Sequence, residues 1–181
     1  GLLKAIEGET AVEALTFKHR GKPVRLSASL VLLHQGVVPN TQLSLSTGLE
    51  HHWNSAQLCW QPVTDEWGRM GDSALYVAGD SRGIVGALAS AAQGRLAALS
   101  IAKQLGAAAD IAQRGTELKR QLAGHTRIRP FLDALYRPLT EHRVPPRDDV
   151  TVCRCEEVTA GQIRSYVDLG CLGPNQTKTF G

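Results

Sequence analysis

An α/β fold is predicted for this 181-residue sequence by three observations. Residues 11–33 carry two extended patterns around a turn. The stretch "ALYVAGDSRGIVG" runs a short apolar segment through a Gly-Asp turn into a Gly-rich helix start. Several later segments repeat apolar residues at helical spacing.

The elements follow in order. "AVEALTFKH" alternates apolar and polar positions, with Val12, Ala14, Leu15 and Phe17 expected to supply the buried side. "RGKP" makes a turn, and "VRLSASLVLL" resumes an extended pattern whose continuous "LVLL" predicts a strand that becomes fully buried. Gly36 and Pro39 break the chain into a loop. Residues 44–73 read as irregular, with Trp53, Trp60 and Trp67 and turn chemistry at "DEWG". "ALYVAGD" predicts a short strand stopped at Gly79, and the Ala-rich stretch after it a long helix ending at Gly106. Small residues at Gly86, Ala87, Ala91 and Gly94 would let that helix approach a sheet or ligand closely.

A second helix is expected from Asp110, as N-cap, to about Leu122, with Gly124 past its end. A third carries Ile128, Phe131, Leu132 and Leu135 and is stopped by Pro138. "RVPPRDD" reads as a linker. Beyond it Thr159 and Gln162 have capping-box spacing, starting a short helix closed by Gly170, and "GPNQTKTF" begins another element.

Composition excludes some classes. The formal charge of +3 is small, and 5% aromatic residues supply no basic stripe with interleaved rings, so a nucleic-acid surface is not expected. No apolar run approaches the ~20 residues that span a bilayer. "GLLKAIEGET" lacks the regions of a secretory signal. With four cysteines and no such signal, a reducing, cytoplasmic setting is expected.

Two places could carry chemistry. An Asp80 carboxylate at the end of a strand could accept hydrogen bonds from sugar or polyol hydroxyls, beside the N–H groups of a helix start. Equally, Gly79 and Asp80 could form a turn that caps the helix. The second place is "VCRCEE". Cys153 and Cys155 could grip one metal, but zinc and Fe–S sites take four ligands, so two idle thiols are the alternative. A disulfide across one residue would be strained. The histidines show no metal spacing, Glu156 and Glu157 do not face each other, and no G-x-G-x-x-G follows a strand.

"HQGVVPNTQL", "VTDEWG", "LYVAGDSRGIVGALASAAQGRLAAL", "RPFLDALYRP" and "VCRCEEVTAGQIRSYVDLGCLGPNQTK" occur in that order. In this the chain resembles the carboxyl half of the FAD-dependent subunits of opine oxidases, hydrogen cyanide synthase and related amino-acid dehydrogenases. These are flavoproteins of the two-dinucleotide-domain class typified by thioredoxin reductase. The resemblance implies the end of a nicotinamide-type domain at 1–40 and the carboxyl part of an FAD domain at 41–106. A helical segment at 107–140, a linker at 141–150 and the start of a bacterioferritin-associated-ferredoxin-like [2Fe–2S] module at 151–181 would follow.

By the same resemblance, Gly79 and Asp80 would bind the ribityl or phosphate-proximal part of FAD, and Ile84 and Val85 would face the flavin pyrimidine edge. Cys153 and Cys155 would be the first two cluster ligands, and Cys171 does not match the second pair. The amino-terminal flavin motif and that second pair are absent, which implies a piece of a longer subunit that by itself holds neither FAD nor the cluster. The implied function is oxidation of an amino acid or opine-like amine, with electrons relayed among other subunits of a hetero-oligomer. The alternative is a non-catalytic assembly module whose cysteine pair binds zinc or no metal.

Overall fold

A computed structural model describes residues 2–34, 36–107 and 110–180. The chain divides into two compact units, residues 1–35 and 36–181.

In the first unit, β1 (Leu2–Glu7), β2 (Ala14–His19) and β3 (Lys22–Ser27) form an antiparallel sheet in chain order. The turn after β2 is the expected one. Arg20 and Gly21 take φ of 50° and 79°, the two left-handed residues that match the strand twist in a two-residue hairpin. β1 was not read from the residue pattern, though it lies in the 1–40 stretch for which the resemblance implies strands. It is held at its end by Glu7, whose carboxylate accepts from the Thr16 hydroxyl and, at 2.7 Å, from Arg25 Nε. These bonds hold the Glu7 carboxyl below its ordinary pKa.

The buried strand expected at "LVLL" is not formed. Residues 28–34 carry no regular structure, and Leu30, Leu32 and Leu33 are 72%, 86% and 58% exposed. An apolar strand needs neighbours for its backbone groups and both its faces, and among the described residues none lies beside this one.

The second unit holds both small remaining sheets and all seven helices of the described residues. Segment 44–73, expected to be irregular, contains part of α1 (Gln42–Ser46) and a hairpin of β4 (His51–Asn54) and β5 (Cys59–Pro62). Trp53 sits opposite Trp60 in that hairpin, with the rings edge to face at 5.7 Å. The helix expected up to Gly106 is α2 (Ala87–Gln104), bracketed by Gly86 and Gly106 at φ of 93° and 84°.

The small residues expected to allow close approach lie off its packing face. Ala89, Ala92, Gln93, Leu96, Ala97 and Leu99 are buried, whereas Gly86, Ala87, Ala91 and Gly94 face solvent. The i, i+3, i+4 rhythm of 89, 92, 93 and 96 chose the face, not the smallest residues. α2 packs on α3 (Ile111–Thr126). α3 runs through Gly124, since one interior glycine costs only about 1 kcal/mol. Asp110 precedes it at φ 40° without a side-chain capping bond.

The strand expected at "ALYVAGD" is also absent. Among the described residues that stretch has one antiparallel bridge, Arg69 to Tyr76, and otherwise lies along α2. Tyr76 Oη bonds Ser100 Oγ at 3.0 Å and accepts from Gln104 Nε2 at 2.7 Å. Gly79 N–H donates to buried Gln93 Oε1 at 2.8 Å. Every strand pair in the described chain is antiparallel. The segment has no parallel sheet to join, and helix side chains take its polar groups instead.

Trp67 of "DEWG" lies on Gly115 of α3, where an added Cβ would come within 2.5 Å of the ring. Lys119 caps the same ring at 4.3 Å and pairs with Glu66 at 2.5 Å. α4 (Arg129–Leu135), the third expected helix, has Pro130 in its first turn, and α5 (Thr140–Arg143) follows. β6 (Thr151–Cys153) and β7 (Val158–Thr159) then form a hairpin feeding α6 (Ala160–Asp168). The capping box is present in both directions. Gln162 N–H reaches Thr159 Oγ1 at 3.3 Å, and Thr159 N–H reaches Gln162 Oε1 at 2.8 Å. Gly170 closes the helix at φ 98°, and α7 (Pro174–Thr177) lies in "GPNQTKTF".

Candidate functional site

The turn ahead of α2 is held by the side chains of Asp80, Ser90, Gln93 and Gln57. Gly79–Ser81 make one tight helical turn, entered by Gly79 at φ 71°. A Cβ at Gly79 would sit 3.3 Å from that of Ser90, so the turn is pressed against α2. Asp80 then reaches forward. Its Oδ1 accepts from the N–H groups of Val85 at 3.1 Å and Gly86 at 3.4 Å, and from Ser90 Oγ at 3.5 Å. The capping role foreseen for Asp80 is not the one formed: α2 has no side-chain capping bond, and the carboxylate instead braces the turn just before the helix.

That role does not use up the carboxylate. Asp80 is exposed, and among the described residues all its hydrogen bonds run to one oxygen, Oδ1. The first-turn N–H groups of Ala87, Leu88 and Ala89 have no partner among the described residues. An acceptor-only carboxylate oxygen thus stands beside donors at the positive end of an 18-residue helix. This donor and acceptor set fits a ligand that presents both hydroxyls and anionic oxygens, as the sugar-alcohol and phosphate portions of FAD do.

Ile84 is held from the opposite side. Its N–H donates to Gln57 Oε1 at 3.1 Å, and its carbonyl accepts from Gln57 Nε2 at 2.8 Å. One carboxamide from the β4–β5 turn thus occupies both backbone polar groups of Ile84. Gln57 Nε2 also lies 3.3 Å from the Asp133 carboxylate of α4, which pairs with Arg129. Neither Gln57 nor Asp133 was singled out in the sequence. They lie 76 residues apart, and an isolated Gln or Asp has no local signature for a partner that distant.

The cysteine hairpin is a different kind of site. All four cysteines are free thiols, with Cys59 and Cys171 buried, Cys153 half-buried and Cys155 exposed. The backbone N–H groups of Glu156 and then Cys155 bond the Cys153 sulfur and lower its pKa from the ordinary thiol value. Lys178 adds a smaller pull in the same direction. Glu157 follows at φ 55°, the left-handed residue that leads the turn into β7. Such N–H···S bonds favour thiolate, the form that binds metal. Among the described residues, no three His, Cys, Asp or Glu side chains come together as a ligand set. Two thiols do not complete a four-ligand cluster, so the described residues by themselves do not fit one.

The comparisons set this chain beside enzymes built from subunits, an oxidase and a synthase. It is 43% identical over 178 residues to an opine oxidase subunit of Rhizobium meliloti, a match covering 97% of this chain and 34% of that relative. The corresponding opine oxidase subunit of Agrobacterium tumefaciens (strain Ach5) is 42% identical over 182 residues, 97% of this chain and 35% of the relative. Hydrogen cyanide synthase subunit HcnB of Pseudomonas protegens is 32% identical over 151 residues, 82% of this chain and 32% of the relative. The chain thus spans about a third of the length of the curated relatives it matches. No family model matches it, and no solved structure matches it significantly. Among the described residues no helix is long and apolar enough to cross a membrane.

Proposed function

We propose that this chain is part of an oxidoreductase subunit whose 79–86 turn serves FAD and whose cysteine hairpin supplies two thiolates to a [2Fe–2S] cluster. The observation that carries this reading is the 43% identity, over 97% of the chain, to a protein named as an oxidase subunit. The Asp80 geometry supports the flavin half. Its exposed carboxylate oxygen and the free N–H groups of α2 would hold hydroxyl and phosphate oxygens, while Gly79 keeps the turn close to the helix. Ile84 and Val85 would then border the flavin ring.

FAD supplies a two-electron acceptor and a cluster a one-electron relay, which is the reason to join them in one polypeptide. The residues of this chain bind and orient; the substrate, an amino acid or opine-like amine oxidised at a C–N bond, would meet the flavin among other subunits. Cys153 and Cys155 supply two of the four thiolates that such a cluster takes. The remaining ligands would come from outside the described residues.

An absorption spectrum with flavin and iron analysis of the longest native chain containing these residues is the test. Flavin bands and bound iron are expected, and a colourless protein free of both overturns the reading. A second reading, an assembly module, draws on Trp53 and Trp60, a paired aromatic patch 46% and 51% exposed of the kind enriched at interfaces. Zinc lost on Cys153→Ser with redox activity unchanged would favour it.

A further inference from the structure

We infer that Gln57 is a positioning residue for the turn at the start of α2, holding it in the shape that receives the flavin. The inference rests on the flavin reading above and adds a residue that reading does not contain. Gln57 treats Ile84 as a neighbouring strand would, taking its N–H at 3.1 Å and giving to its carbonyl at 2.8 Å. Both ends of the carboxamide are needed, so its orientation is set and not free to flip.

The residues around Gln57 enforce that orientation. Gln61 Nε2 donates to Gln57 Oε1 at 2.8 Å, and Asn54 Nδ2 donates to Gln61 Oε1 at 3.0 Å. On the other side the Asp133 carboxylate, paired with Arg129, accepts from Gln57 Nε2. Acceptors thus lie only on the Nε2 side and donors only on the Oε1 side. Asp133 and Arg129 are mostly shielded, with 13% and 22% of their side chains exposed, so these bonds are not replaced cheaply by water. Gly83 makes room for the arrangement, because a Cβ there would come within 2.9 Å of Gln61 Nε2.

The hairpin also bears local strain at this point. Leu58, the residue after Gln57, has φ 54°, a conformation that costs a non-glycine residue about 1 kcal/mol or more. The turn thereby directs Gln57 at Ile84 while Asp80 grips Val85 and Gly86 from the other side. Ile84, Val85 and Gly86 therefore have no unpartnered N–H among the described residues, and the free donors begin at Ala87. Gln57 decides where those donors point.

The experiment uses the longest native chain carrying these residues, with Gln57→Ala and Gln57→Glu. Hydrogen exchange of the flavin-stripped protein reads the turn, and FAD titration with the flavin midpoint potential reads the ligand. Both variants should exchange the amides of residues 84–86 about tenfold faster or more, with residues 95–104 of α2 unchanged. FAD affinity should fall by about tenfold, the equivalent of roughly one lost buried hydrogen-bond pair. Gln57→Glu keeps the volume but sets a carboxylate against the Ile84 carbonyl and Asp133. It should be the worse of the two and should shift the midpoint potential, whereas a packing role would make it the milder. Parent-like exchange at 84–86 overturns the clamp. Loosened exchange with parent-like FAD affinity and potential overturns its link to the ligand. A parent chain that binds no FAD overturns the flavin reading, and with it the purpose assigned to Gln57, while the exchange result still stands.

Discussion

The turn before α2 and the cysteine hairpin before α6 are built from similar parts to opposite ends. Both fold back through a left-handed residue, Gly79 in one and Glu157 in the other, and both lead into a helix. In the first, side chains from three other parts of the second unit converge: Gln93 and Ser90 from α2, Gln57 from the hairpin, and Asp133 from α4 behind it. In the second, the N–H groups aimed at the cysteine come from Cys155 and Glu156, two and three residues further along the chain, with a smaller pull from Lys178. A turn clamped from several elements is preorganised for a ligand that needs defined geometry. A local loop with two thiols can offer ligands but cannot by itself enclose a metal.

Substitution at the hairpin should have the largest effect. Cys153→Ser or Cys155→Ser in the native protein should abolish bound iron by metal analysis, because neither thiolate has a substitute nearby. Iron at the parent level in either variant would break the contrast. Next, Asp80→Ala should weaken FAD binding by about 10- to 100-fold in a fluorescence titration, from loss of a charged hydrogen-bond acceptor and of the turn's internal brace. Unchanged affinity would leave Asp80 a brace and nothing more.

Smaller effects test how each region is supported. Gly161→Ala places a Cβ 2.8 Å from that of Asp148, next to the backbone, and should cost about 1–3 kcal/mol in thermal or denaturant unfolding. Gly83→Ala meets the movable end of Gln61 at 2.9 Å and should cost less; the reverse order would show that the clamp is the stiffer of the two. The finest distinction is in pH. Cys153 has its thiolate favoured by backbone N–H groups, so its alkylation in metal-free protein should persist as pH falls below the ordinary thiol range. Burial pushes the Cys59 thiol up, so Cys59 should require higher pH to react. Equal pH profiles for the two would remove the electrostatic part of the contrast.

Legibility in the sequence followed the range of the interaction. The capping box at Thr159 and Gln162, the Arg20–Gly21 turn and the Gly106 end of α2 act over two to four residues, and each stands where its local chemistry put it. Extended segments fared worse. "LVLL" and "ALYVAGD" have strand composition, but a strand exists only where another strand pairs with it, and among the described residues neither has a sheet to join. Asp80 lay between. Its place at the turn was legible, but its division between bracing Val85 and facing outward was not.

By itself, then, the sequence determined the bodies of the longer helices α2, α3 and α6, the end of α2 at Gly106, the Arg20–Gly21 turn and the positions of Asp80, Cys153 and Cys155 in their turns. Periodicity, capping and φ preference are properties of neighbouring residues. The tertiary structure alone decided that Gln57 clamps Ile84, that Trp67 seats on Gly115, and that Cys171 adds no third ligand beside the cysteine pair. Those contacts join residues that are distant in the chain, and only packing brings them within hydrogen-bonding or van der Waals reach.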